Sequence, residues 1–308
     1  MTYTISLEPG ELDLRQCVSC GQVFLWRETA PYLWLGVDGE AWFRVQVTPD
    51  GLNVESNVPS ERFRRLFNLD VDQAEQEAAI RAAAPELEPY IARFPGLRLM
   101  RPSCPVETLC CFLCTPNNHL RRIMPMARAL QAYGDPIGEV EGVVLRRFPE
   151  IEAVASIPEH ELRAKGFGYR ARSIPLTAAR VAERGGRQWL TSLRAKPYAE
   201  AFEALIALPG VGPKLADCIA LFALHKTEAV PVDTHLWQAA TRLYFPEWRG
   251  AAITESRYRA VGDLFRAKFG PLAGIAHHYL FYDNMRNAGR SQTSGTMGRK
   301  ERIDSSGS

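Results

Sequence analysis

Between about Tyr3 and Asn57, apolar and polar residues alternate in short runs rich in aromatic and β-branched side chains: QVFLWRE, YLWLGVDGEAWFRVQVTPDG and LNVES. A period of two marks half-buried strands. Asp38-Gly39 and Asp50-Gly51 punctuate these runs, and Asp-Gly pairs favour tight hairpins, so the pattern predicts an antiparallel sheet. Near Ser60 the apolar spacing becomes helical, and helices dominate from Val106 onward. Breaks fall at Pro116–Asn118, Gly134–Gly142, Gly185–Gly186 and a glycine turn at Gly210–Gly212. Beyond Gly289 the polar stretch RSQTSGTMGRKERIDSSGS has almost no apolar content and reads as disordered. The expected fold is α+β: an antiparallel sheet unit with following helices over 1–100, a larger helical unit over 101–290, and a tail over 291–308. The functional site is expected where the first two units meet.

The densest chemistry lies in LIALPGVGPKLADCIALFALHKTEAVPVDTHL, Leu205 to Leu236. Ala204, Leu205 and Leu208 mark the apolar face of a short helix ended by Pro209 and Gly210, and a second helical run begins at Lys214. Gly210 and Gly212 permit positive φ and close backbone approach, with Val211 free to bury between the helices. Unpaired amides at the second helix's start suit a phosphate. That describes a helix-hairpin-helix clamp on a DNA backbone; an ordinary helix connector has the same turn. Lys214 is a candidate nucleophile if desolvation and its helix's positive end lower its pKa. Asp233, nineteen residues later in VDTH, reads as an N-cap whose ionised carboxylate can stabilise positive charge on a sugar. A solvated lysine and a plain capping aspartate are the alternatives for each residue alone.

Composition narrows the class without naming a reaction. With 308 residues, 46% of them hydrophobic, the chain can bury two cores. No apolar run reaches membrane-spanning length, and MTYTISLEPGE lacks a basic start followed by an apolar stretch. A soluble intracellular protein is expected. The formal net charge is only +2, so any DNA-binding face must come from local groups such as Arg121, Arg122, Lys165, Arg170 and Arg172. Among the seven cysteines, Cys17, Cys20, Cys111 and Cys114 have the spacing of a split zinc site. The helical run TLCCFLC favours small buried side chains instead, and no metal is expected.

CGQVFLWRE (Cys20 to Glu28), CFLCTPNNHLRRI (Cys111 to Ile123), GFGYRAR (Gly166 to Arg172) and Leu280-Phe281 join the glycine-turn segment in one order. Together they resemble the eukaryotic-type 8-oxoguanine DNA glycosylases of the helix-hairpin-helix GPD superfamily, over roughly residues 5 to 285. The resemblance implies a base-excision-repair glycosylase and AP lyase acting on double-stranded DNA that contains oxidised guanine. It implies catalysis by Lys214 and Asp233, and phosphate contacts from Gly210, Val211, Gly212 and His235. For the flipped base it implies a carbonyl from Gly21, a sandwich between Cys218 and Phe281, Phe222 on the pocket wall, and His277 at the base's pairing edge. Asn117 would fill the vacated stack, Tyr169 would wedge beside the orphaned cytosine, and Arg122 and Arg170 would read that cytosine.

Three positions depart from the family's pattern. His277 replaces a glutamine, His119 an asparagine, and Asn284 falls where a carboxylate orients His235, with Asp283 one residue earlier. No cysteine follows Cys218, so the iron–sulfur loop of the endonuclease III branch is missing; no cofactor is expected. The implied reaction is lysine attack, a Schiff base, then β-elimination. The rivals are a same-fold glycosylase for other damaged purines and a non-catalytic helix-hairpin-helix binder. A monomer is expected. The tail lacks a dense Lys/Arg block, so the expected location is a bacterial cytoplasm, at the nucleoid, or the nucleus if the source is eukaryotic.

Overall fold

The computed structural model describes residues 1–300, with side chains described to Asn287. Strands β1 (Thr2–Ser6), β2 (Arg27–Ala30), β3 (Leu33–Asp38), β4 (Ala41–Thr48) and β5 (Gly51–Ser56) form an antiparallel sheet in the order β1-β5-β4-β3-β2. Both Asp-Gly pairs turn hairpins in it: Asp38 pairs with Ala41, and Thr48 with Gly51. Alternation does the expected work on β4, where Ala41, Phe43 and Val45 are buried while Trp42, Arg44 and Gln46 are partly exposed. The inward face packs on α2 (Ser60–Leu66), with Phe43 edge-on to Phe63 at 5.5 Å between ring centres.

Two parts of the first hundred residues differ from the strand-like expectation. Leu14–Ser19 is a helix, α1, capped by Asp13, whose carboxylate accepts from the Gln16 amide at 2.9 Å. In QVFLWRE only Arg27 and Glu28 join a strand. Gln22, Val23, Phe24, Leu25 and Trp26 are all buried, because this stretch is enclosed by both units and has no solvent face to alternate with. Gln22 substitutes for sheet partners, donating to the carbonyls of Cys17 (3.2 Å) and Arg98 (2.9 Å) and accepting from the Met100 amide (2.9 Å).

Helices α3 (Gln73–Ala83) and α4 (Glu88–Arg93) lead to the buried α5 (Pro105–Leu113) and to α6 (Leu120–Gln131). The Gly134–Gly142 break, expected as a loop, contains a further hairpin that forms its own two-stranded sheet, β6 (Pro136–Val140) with β7 (Val143–Arg146). Glu141 (φ 52°) and Gly142 (φ 77°) turn it. Two positive-φ residues match the right-handed twist of a hairpin, a signal obscured here by glutamate in place of the usual Asn or Asp. Then follow α7 (Ile151–Ala155), α8 (Glu159–Ala164), α9 (Arg170–Glu183), α10 (Gly186–Ser192), α11 (Tyr198–Ile206), α12 (Pro213–Phe222), α13 (Thr234–Leu243), α14 (Glu255–Phe269) and α15 (Ala273–Lys300). This is the expected α+β arrangement. Helix α15 runs to Lys300. Residues 301–308 of the tail expected to be disordered lie outside the described residues.

The second core spans both units. Cys20, Phe24 and Leu25 from the first pack with α5, α12 and α15 of the second. Phe112 on α5 stacks on Phe222 of α12 at 5.4 Å and 7°. All seven cysteines are buried free thiols, and the zinc-like quartet is divided, Cys17 belonging to the sheet core and Cys20, Cys111 and Cys114 to the larger one. No helix among the described residues is long and apolar enough to cross a membrane.

Candidate active site

The glycine turn is a tight hairpin between α11 and α12. Gly210 has φ 75°, which only glycine adopts without strain. Thr177 on α9 donates to the Pro209 carbonyl at 2.6 Å and pins the turn to the helical unit. Val211 is buried between the helices, as expected. Gly212 differs from expectation: its backbone is extended (φ −92°, ψ 175°). A Cβ there would meet nothing within 4 Å, so its missing side chain leaves open room for close approach rather than relieving a left-handed turn. No side chain caps α12, and free first-turn amides suit a phosphate oxygen.

Lys214 follows in the first turn of α12, half-buried. Asp233 caps α13, its Oδ1 accepting from the amides of His235 and Leu236, both at 2.9 Å. Both side chains line one cavity of about 710 Å³ at the join of the two units. Gly21 and Phe24 close it from the first unit, and Cys218, Phe222, His235, His277 and Phe281 from the helices. Thus Lys214, Asp233, Gly21, Cys218, Phe222, His235, His277 and Phe281, scattered over the sequence, come together. Gly21 has φ 89°, and a Cβ there would sit 3.3 Å from Leu120.

The charge state of Lys214 departs from expectation. Burial favours its neutral amine, but the Cys218 sulfur and then the Asp233 carboxylate outweigh burial and hold its pKa above the usual lysine value. Cys218 lies one turn along the same helix, so the group expected to be bared is partnered. Before nucleophilic attack, Lys214 must therefore lose a proton. Burial pushes the Cys218 thiol up to about 11 against the pull of Lys214, leaving it a thiol at neutral pH.

Phe281 stands among three imidazoles. His235 meets its ring edge-on at 5.7 Å, while His277 and His278 stack on it at 5.9 and 6.3 Å. Burial lowers the His277 pKa to about 3, His278 and Lys214 contributing, and lowers His278 to about 4. Both are neutral at pH 7; the Gly274 and Pro231 backbones approach the His277 ring, but neither ring nitrogen reaches a partner at full hydrogen-bond geometry. A buried imidazole with both nitrogens unpaired costs stability and is ready to pair with a ligand. Asn284 donates to the His235 carbonyl at 2.9 Å, whereas Asp283 turns away to Arg93. The carboxylate beside His235 is therefore replaced by an amide that holds its backbone.

Asn117, Arg122, Tyr169 and Arg170 do not line the cavity; Tyr169 and Arg170 gather on the loop that carries Asn117, of which Thr115 and Asn118 do line it. Asn117 is exposed with φ 49°, while Asn118 turns inward to donate to the Cys114 carbonyl at 3.0 Å. Tyr169, 55% exposed, donates to the Pro116 carbonyl at 3.1 Å. Arg170 donates to the same carbonyl and lies 4.5 Å over the Tyr169 ring. Arg122 donates to the Gly166 carbonyl at 3.0 Å. Arg170 is only 4% exposed, so it must exchange the Pro116 contact for a base edge if it reads one. The sequence reading missed Phe24, Phe112 and His278 as cavity residues; for isolated apolar or helical positions, core packing was the simpler assignment.

Comparison with known proteins identifies the family. Residues 4–109 match the 8-oxoguanine DNA glycosylase N-terminal domain, and residues 114–261 match the HhH-GPD superfamily of base excision DNA repair proteins. The chain is 34% identical over 289 residues to the N-glycosylase/DNA lyase OGG1 of Arabidopsis thaliana, covering 91% of this chain and 79% of that one. It is 31% identical over 232 residues to the N-glycosylase/DNA lyase of Saccharomyces cerevisiae, covering 67% and 61%. Its fold superposes with a TM-score of 0.81, at 25% identity over 94% of this chain and 98% of the other, on the Clostridium acetobutylicum 8-oxoguanine glycosylase/lyase bound to duplex DNA with cytosine opposite the lesion.

Proposed function

This chain belongs to the 8-oxoguanine DNA glycosylase family of the HhH-GPD superfamily, and from that premise we propose how its residues excise 8-oxoguanine from duplex DNA and then nick the strand. One observation carries the reading: Lys214 and Asp233 line the same cavity as Gly21 and Phe281. A base within a duplex hides its anomeric carbon, so the nucleotide must leave the stack. Exposed Asn117 fills the gap and Tyr169 wedges beside the orphaned cytosine. Arg122 and Arg170 donate to cytosine's acceptors, a match an opposing adenine lacks.

The flipped base lies between Cys218 and Phe281 with Phe222 on the wall. The Gly21 carbonyl accepts the lesion's extra N–H; guanine presents a lone pair at that point. A polar mismatch discriminates better than an apolar wall. His277, neutral and unpaired, pairs with the base's remaining edge. The turn Gly210-Val211-Gly212 and His235 hold phosphates.

Once Lys214 has lost its proton, its nitrogen bonds to the anomeric carbon as the bond from that carbon to the base breaks. Asp233 offsets the positive charge building on the sugar. The aminal opens to a Schiff base, and β-elimination cleaves the strand 3′ to the site. Covalent attachment divides one hard reaction into easier steps. No cofactor enters this scheme. The enzyme works where duplex DNA is kept; our reading is a monomer in a bacterial cytoplasm, at the nucleoid, or in the nucleus if the source is eukaryotic.

Free-base release measured on a panel of lesion duplexes tests this function. Release of 8-oxoguanine opposite cytosine is expected. Release of alkylated purines alone would favour a same-fold glycosylase of other specificity, and duplex binding without release would favour a clamp.

A further inference from the structure

Lys214 and Asp233 come from different segments, α12 and the Val230–Asp233 stretch that enters α13. Something behind the cavity must fix their separation. Asp217, three residues beyond Lys214, does not line the cavity and is 1% exposed. Its carboxylate accepts from the Tyr198 hydroxyl of α11 at 2.6 Å and from the Tyr258 hydroxyl of α14. The Val230 amide faces the same carboxylate, and the Val232 amide faces the Tyr258 oxygen. Burying a carboxylate is costly unless its lone pairs are satisfied. Its two hydrogen-bond donors belong to α11 and α14, and the Val230 and Val232 amides beside the Asp217–Tyr258 pair belong to the segment that ends at Asp233.

We infer that Asp217 and Tyr258 are a positioning pair that sets the distance between the Lys214 amine and the Asp233 carboxylate. The inference rests on the catalytic roles proposed above. Tyr198 is the internal control. It bonds to the same carboxylate but ties it to α11, and its hydroxyl also receives Arg266 at 3.3 Å; α11 carries neither reacting group. Loss of one phenol hydroxyl therefore costs Asp217 one donor in either case, but only loss of the Tyr258 hydroxyl loosens the approach to Asp233.

The test compares Tyr258→Phe, Tyr198→Phe and Asp217→Asn in the full chain. It follows the single-turnover rate of 8-oxoguanine release from an 8-oxoguanine:cytosine duplex, duplex Kd, and Tm. Small misplacements of reacting groups cost up to about a hundredfold in rate. Tyr258→Phe and Asp217→Asn are expected to slow release about tenfold or more with Kd unchanged, and Tyr198→Phe to keep the wild-type rate at a comparable loss of Tm. Equal rates in the two tyrosine variants, both slowed or both unchanged, would overturn the inference. Wild-type protein that releases no base would overturn the activity reading and this inference with it, so the two failures are distinguishable.

Discussion

Cys218 stands one helical turn beyond Lys214 on α12 and, with Asp233, holds the lysine's proton against the effect of burial. Removing the sulfur takes away one of the two groups that favour the protonated amine. Cys218→Ala should lower the Lys214 pKa and move the acid limb of the pH profile for base excision to lower pH, whatever happens to the maximal rate. A limb that stays in place would show that Cys218 does not govern the amine.

Arg122 and Arg170 bear on the opposing base. Each lost contact to cytosine is expected to cost about 1–3 kcal/mol, and ~1.4 kcal/mol is a tenfold change in rate. Arg122→Ala and Arg170→Ala should each reduce the cytosine-over-adenine ratio of excision rates by roughly ten- to a hundredfold. Unchanged ratios with uniformly weaker binding would make both residues backbone contacts instead.

The neutral histidines make stability fall in acid. Their pKa values drop in the fold, from 6.5 to about 3 for His277 and about 4 for His278. Below pH 6.5 the unfolded chain therefore takes up more protons than the folded one. Their contribution is fully present above that pH and declines as pH falls, by about 1.4 kcal/mol per pH unit for each histidine at full slope. His277→Gln should flatten the fall of Tm between pH 7 and 5; equal slopes would contradict the burial argument.

At the joint between the units the sign reverses. Burial and then Asp38 raise the Glu107 pKa from 4.5 to about 8, with the Gly39 amide and Arg187 opposing. The fold keeps a proton that the unfolded chain would release. Stability is thus full below pH 4.5 and is lost as pH climbs towards about 8. Glu107→Gln keeps an acceptor for the Gly39 amide, now at 3.2 Å, and should give a higher Tm than wild type at pH 8. An equal or lower Tm would argue that Glu107 is ionised in the fold.

Much of this architecture was legible where periodicity and turn chemistry agree. Asp38-Gly39 and Asp50-Gly51 mark real hairpins, and the LPGVGPK turn and the capping Asp233 lie on the elements their residue types predict. Gln22–Trp26 misled because strand-like composition there reflects burial between two units, with Gln22 supplying the hydrogen bonds. The charge on Lys214 was not readable from its apolar neighbours, since the Cys218 sulfur and Asp233 reverse what burial does. Asp217 was passed over because an aspartate inside a helix says nothing until the Tyr198 and Tyr258 hydroxyls are seen converging on it.

The central claim is that Lys214 becomes covalently attached to the sugar. Borohydride reduction during reaction with an 8-oxoguanine:cytosine duplex measures this directly, because it converts a Schiff base into a stable protein–DNA adduct. The account predicts an adduct with the wild-type chain and none with Lys214→Gln. Base release by the wild type with no trapped adduct, or an equal adduct with Lys214→Gln, would contradict it.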